Sequence, residues 1–147
     1  MKRRLLDVNV LLALAWPAHE HHGWVQAWFQ SIRSAGFATC PLTQAGFVRI
    51  SCNPHFSPQT VSPQIALSLI DEITAMPEHE FWPDALSLRE AIPHQQPLTG
   101  HRQITDAYLA ALAASRGGVV STLDRAMLAL AESSVRVEWI LVQALEP

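Results

Sequence analysis

The sequence contains only two cysteines, Cys40 and Cys52, and no CxxC pair. That excludes a zinc ribbon and a secreted disulfide framework, and it fits a reducing cytoplasm. Long apolar runs are missing too. A membrane span needs roughly 18 such residues, and the longest candidate, Val10 to Trp16, is bounded by Asn9 and Pro17. After Met1-Lys2-Arg3-Arg4, the residues Asp7 and Asn9 interrupt the apolar stretch and no small-residue cleavage site follows, so no export signal is expected. There is no basic surplus. The formal net charge is -3 at pH 7, which argues against a protein that coats a nucleic-acid backbone and restricts any contact with nucleic acid to a local site. Repeats and low-complexity tracts are not found.

What is present is the composition of a compact globular chain, 49% hydrophobic and 16% charged. Its 147 residues suit one domain, residues 1–147, large enough to bury a core unaided. Leu5-Leu6-Asp7 reads as the end of a buried strand, and Val8 to Ala15 as a helix stopped by Pro17. Trp24, Val25, Trp28, Phe29 and Ile32 give His22 to Ala35 a helical stripe that ends at Gly36. Phe37 to Cys40 is a second strand. Pro41-Leu42-Thr43 supplies a turn and a cap for a helix over Ala45 to Ile50, with Thr43 and Gln44 at its start. After a proline-containing loop over residues 53–62, Ile65, Leu69, Ile70, Ile73 and Met76 mark a helix that opens at Pro63 and closes at Pro77. Glu80-Phe81-Trp82 is a third strand. Pro83 to Thr99 holds at most one short helical turn. Thr105 caps a helix through Arg116, Gly117-Gly118 ends it, and Val119 to Ser121 is a strand. A helix over Leu123 to Ala131 and a strand over Val135 to Ile140 complete the pattern. Alternation of this kind predicts an α/β fold, a three-layer α/β/α sandwich with a mainly parallel sheet.

In such sheets the functional crevice lies beyond the carboxyl ends of the strands. Asp7, Gln44, Asp106 and Asp124 all fall on that edge, at strand ends or in first helical turns. Carboxylates gathered there repel one another and lose hydration unless a cation compensates. A hard divalent ion such as magnesium takes oxygen ligands, keeps several waters and leaves an open side suited to a phosphate. Metal-assisted phosphodiester hydrolysis is the chemistry that follows, with Asp7, Asp106 and Asp124 as candidate metal ligands and catalytic groups. Asn9 and Thr122 read as residues that orient them. Spacing alone leaves a second account of Asp106 and Asp124 open, as first-turn acids favoured by the helix dipole.

Four segments in this order resemble the PIN domain: Leu5-Leu6-Asp7-Val8-Asn9-Val10-Leu11-Leu12, Pro41-Leu42-Thr43-Gln44-Ala45-Gly46-Phe47-Val48-Arg49, Gly100-His101-Arg102-Gln103-Ile104-Thr105-Asp106-Ala107-Tyr108 and Ser121-Thr122-Leu123-Asp124. Within that family the likeness is to the VapC toxins and runs from Leu5 to about Trp139. It implies a magnesium- or manganese-dependent endoribonuclease, a homodimer, and a cognate VapB-type antitoxin that covers the active site. The family often has a glutamate after the threonine of the second segment. Gln44 stands there instead: its neutral amide can still coordinate an ion or hold a metal-bound water as a residue supporting the ligands, but it removes one charge, weakens metal binding and puts a second ion in doubt.

Other signals have plainer readings. His19-Glu20-His21-His22 lacks the remaining ligands of a zinc site and reads as a solvated helix start. Asp84 reads as a turn aspartate outside the centre. Trp24, Trp28 and Trp82 fit core or dimer packing better than base stacking. Arg49, His101 and Arg102, with Arg125, are candidate phosphate contacts, and a loop-structuring role is open for His101. Two alternatives remain beside an RNA-cutting toxin: the same centre acting on DNA, and a non-catalytic nucleic-acid-binding or regulatory module in which Gln44 marks a degraded metal site.

Overall fold

A computed structural model of the chain describes residues 2–56, 61–130 and 137–141. Strands β1 (Arg4–Leu6), β2 (Phe37–Thr39), β3 (His79–Phe81), β4 (Val119–Thr122) and β5 (Val137–Trp139) form one sheet in the order β3-β2-β1-β4-β5. Every neighbouring pair is parallel, so the sheet is wholly rather than mainly parallel. Around it lie helices α1 (Val8–Ala15), α2 (His22–Ile32), α3 (Pro41–Ser51), α4 (Pro63–Thr74), α5 (Leu88–Ala91) and α6 (Gln103–Ser115). Among the described residues no helix is long and apolar enough to cross a membrane.

The two-residue period of the strands sorts their side chains into two apolar layers. Leu5 pairs with Ala38 and with Val120, and Val120 with Val137. All four face the core that holds Leu109, Leu112 and Ala113 of α6. Leu6 and Phe37 face the other way, onto Val10, Phe29, Phe47 and Ile70 of α1 to α4. Fully burying a leucine is worth about 2 kcal/mol, and Leu5 and Leu6 are both at 0% exposure. A partly buried Arg4–Glu138 ion pair, at 2.7 Å, fastens β1 to β5, and Ser121 Oγ donates to the same carboxylate.

The winding positions the site. From β1 the chain steps to β2 and β3 in one direction, then returns past β1 to β4 and β5. With a constant hand of crossover, the reversal places α1 to α4 on one face and α5 and α6 on the other. β1 and β4 flank the point of reversal, where the diverging connections open a crevice. Gly46 lets α3 close on that rim, since a Cβ there would lie 2.6 Å from Val8 Cγ2.

Several boundaries differ from the sequence expectation. Asp7 is the N-cap of α1 rather than the last residue of β1. α2 ends at Ile32 and a 3₁₀ turn carries on through Ala35. Pro41 is the first residue of α3, a position its fixed φ suits, and Thr43 lies inside the helix, where Oγ1 accepts the Cys40 N–H at 3.0 Å. β3 lies one residue earlier than expected, although the Trp82 N–H still bonds the Thr39 carbonyl. The predicted α-helix after Asp124 is a 3₁₀ helix over Arg125–Leu130, begun by the Met127 N–H bonding the Asp124 carbonyl three residues back. Thr105 does not cap α6, which starts at Gln103 with Thr105 exposed in its first turn. Its end is as expected: Gly117 has φ 67°, and the Gly118 N–H reaches the Ala113 carbonyl at 2.8 Å in a Schellman turn. Ala131, Val135 and residues 57–60 of the predicted loop lie outside the described residues.

Candidate active site

Asp7 is the fixed point of the rim. It follows β1 directly, its N–H continues the pairing to the Ser121 carbonyl at 3.0 Å, and it is 8% exposed. One carboxylate oxygen accepts the Val8 N–H at 2.8 Å and the other accepts the Thr122 hydroxyl at 2.7 Å. The Thr122 oxygen in turn accepts from Asn9 Nδ2 at 3.2 Å and from the Asp124 N–H at 3.0 Å. Asn9 closes the loop by accepting the Leu123 N–H at 3.0 Å. Thr122 therefore has its proton committed to Asp7 and its oxygen committed to two donors. Asn9 and Thr122 lock the start of α1 to the end of β4, and through that lock they hold the Asp7 carboxylate.

Asp106 reaches the same rim from the first turn of α6. Burial and then the charges of Asp7 and Asp124 push its carboxyl up from 3.8 to about 6. Burial also raises the Asp7 carboxyl, against the opposing effect of its bonds to Thr122 and Val8, and Asp124 adds to the rise. Asp124 directs one oxygen to the Ala126 N–H at 2.9 Å, at the start of its own 3₁₀ helix. The three carboxylates thus share one field. Among the described residues they do not close into a preformed cluster of three ligands; Asp7 and Asp124 hold oxygens on neighbouring amides and Thr122. The donor set is all oxygen, which fits a hard divalent cation that retains water in its shell.

Gln44 faces elsewhere. Its Nε2 donates to Thr39 Oγ1 at 2.9 Å, and that hydroxyl meets His79 Nε2 at 2.7 Å. Burial and then the charge of Arg3 hold the His79 imidazole below its ordinary pKa. A neutral ring accepting from Thr39 leaves the hydroxyl oxygen free to accept from Gln44. Nothing in the sequence signals this chain of bonds, since Thr39 and His79 carry no motif and meet only through the β2–β3 pairing. Arg49 is exposed on α3, and His101 and Arg102 are exposed in the turn before α6, a few residues from Asp106.

The profile of the PIN domain matches residues 4–133. The chain belongs to the PIN-domain family. Among curated proteins, this PIN domain is 44% identical to ribonuclease VapC39 of Mycobacterium tuberculosis over 124 residues, 84% of this chain and 89% of that one. It is 43% identical to ribonuclease VapC38 of the same organism, over 87% of this chain and 89% of the relative. Among solved structures it resembles PAE2754 of Pyrobaculum aerophilum with a TM-score of 0.61 at 20% identity, covering 97% of this chain and 88% of that one. The VapBC2 structure of Rickettsia felis, bound to a promoter DNA fragment, gives 0.61 at 12% identity, covering 92% and 96%. These structural likenesses concern the fold.

Three residues weighed from the sequence stay outside the acidic centre of this PIN domain. The charge of Asp84 is felt at Cys40 and Tyr108, not at Asp7 or Asp106. Trp28 and Trp82 are buried at 5% and 1% exposure and pack in the two cores.

Proposed function

We propose that this PIN domain is an endoribonuclease, the toxin of a VapC-type toxin-antitoxin pair, and that it hydrolyses RNA with magnesium, or manganese, held by Asp7, Asp106 and Asp124. The observation that carries this is the placement of three aspartates, after β1, after β4 and in the first turn of α6, on the carboxyl edge of the sheet, where the charges of Asp7 and Asp124 act on Asp106. Burial and then the like charges of Asp7 and Asp124 lift the Asp106 carboxyl to about 6, a cost that a divalent cation would offset. When bound, the cation supplies Lewis acidity toward the scissile phosphate and a water made acidic enough to attack it.

The chain's own residues supply order. Thr122 and Asn9 keep Asp7 from rotating, and the Ala126 amide orients Asp124. Asp106 stands on a separate helix and completes the charge. His101 and Arg102, in the turn before α6, would bring positive charge to phosphate oxygens near Asp106 on an otherwise acidic chain, whereas Arg49, in the last turn of α3 at the end away from the rim, is not part of this reading. No side-chain nucleophile is required. The ribonuclease names of the curated relatives support RNA as the substrate. The Rickettsia felis VapBC2 structure supports a VapB-type antitoxin as partner; that the toxin is a cytoplasmic homodimer is part of the same proposal.

A non-catalytic regulatory module is the second reading, favoured by one observation: the neutral amide of Gln44, tied to Thr39, where the family often has a carboxylate. Incubating antitoxin-free protein with a mixed RNA pool, with and without magnesium or manganese, separates the two. The ribonuclease predicts metal-dependent cleavage that Asp7→Asn abolishes. Folded protein that binds the ion and leaves every RNA intact establishes the module instead.

A further inference from the structure

Trp139 ends β5 directly beside Thr122 of β4, its register partner. Its indole N–H donates to the Leu123 carbonyl at 3.3 Å, which fixes the ring against the segment that carries Asp124. The guanidinium carbon of Arg125 lies 5.4 Å from the centroid of the same ring. Arg125 is exposed and makes no ion pair among the described residues. Trp139 differs from the core tryptophans Trp28 and Trp82, because it is half-buried and belongs to neither apolar core. A cation held over an indole, one residue from a candidate metal ligand, is more than packing demands. Unpaired bases stack on both guanidinium planes and aromatic faces, and the positive charge attracts the adjoining phosphate.

We propose that Arg125 and Trp139 form a stacking subsite for one unpaired nucleobase next to the scissile phosphate of a single-stranded RNA, a reading that rests on the ribonuclease assignment. The subsite sits on the β5 side of the acidic centre, opposite Gln44. It would give the enzyme a preference for cut sites in loops, where a base is free to leave its neighbours.

The test uses the full chain with manganese and a short oligoribonucleotide that it cleaves, prepared also with a single abasic position on either side of the cut. Trp139→Leu raises KM about tenfold and carries most of its loss in KM rather than kcat. Trp139→Phe stays within about threefold of wild type, and Arg125→Lys is weaker than wild type because it keeps the charge without the plane. One abasic position costs the wild type the same factor and costs Trp139→Leu nothing more. Should Trp139→Leu lose its melting transition, Arg125→Ala takes its place in the cycle. Wild-type KM in these variants, or abasic losses that add fully to them, overturns the subsite. Quenching of tryptophan emission by the oligonucleotide is read separately. A chain that binds through Trp139 and cuts nothing sinks the ribonuclease assignment alone, while one that cuts with KM indifferent to Trp139 and to the abasic series sinks the subsite alone.

Discussion

The two halves of the carboxyl edge of this sheet are built from similar parts and have opposite electrostatics. On the β1–β4 side, a buried aspartate is held by a threonine hydroxyl and a helix-start amide, and an asparagine braces the threonine. On the β2–β3 side, a threonine hydroxyl holds Gln44 and is itself bonded to a histidine. Both are side-chain chains that link a strand end to a helix start. Only the first carries charge, and the two other aspartates gather around it. The lesson is that hydrogen bonds keep a polar group in place, whereas the charges left in excess determine what the place will bind.

Breaking the charged half has the largest expected effect. Asp7→Asn keeps the N-cap of α1 and removes one full charge from the centre, so RNA cleavage falls by about three orders of magnitude with little change in melting temperature. Thr122→Val strips the hydroxyl from Asp7 and the acceptor from Asn9 and Asp124. Leaving the buried Asp7 carboxylate without that donor costs about 1–3 kcal/mol, to be read from urea denaturation.

The pH dependence sharpens the contrast further. The Asp106 carboxyl is raised when folded, from 3.8 to about 6. Between those values the unfolded chain gives up the proton and the folded chain keeps it, so metal-free stability declines as pH rises from about 4 to about 6 and then levels off. Discounted for solvent screening at a half-buried group, the decline is about 1 kcal/mol. Asp106→Asn should remove this part of the decline and leave the part that the raised Asp7 carboxyl contributes, and magnesium should flatten both in the wild type. Denaturation midpoints across that range check both. The smallest change comes from the neutral half: Gln44→Glu adds a carboxylate at the rim and tightens manganese binding severalfold, about 1 kcal/mol, measurable by calorimetry.

Much of this was legible in the sequence because strands and helices leave periodic traces. Leu5-Leu6, Val119-Val120 and the stripe of α4 mark buried faces, and the alternation of elements predicted the sheet. Asp7, Asp106 and Asp124 could be placed on one edge because a parallel sheet puts every strand end there. The details that failed depend on hydrogen bonds between distant residues or on tight local geometry. Thr105 looks like a cap, yet α6 begins two residues earlier, and the short span after Asp124 coils as 3₁₀ rather than α. No pattern in the chain announces that Gln44 bonds Thr39, five residues back across the strand-to-helix turn, or that Thr39 meets His79, which β2 and β3 bring together from 40 residues apart. Trp139 was invisible for the same reason: only the β4–β5 register sets it beside Arg125.

The central claim is that Asp7, Asp106 and Asp124 act as one cation centre, although they come from three elements and stand apart as like charges. Calorimetric titration of manganese into the wild type and the variants Asp7→Asn, Asp106→Asn and Asp124→Asn tests it most directly. The account predicts one shared site, weakened at least tenfold by each substitution, about 1.4 kcal/mol. Wild-type affinity in all three variants would mean that the carboxylates are separate first-turn acids and that the centre does not exist.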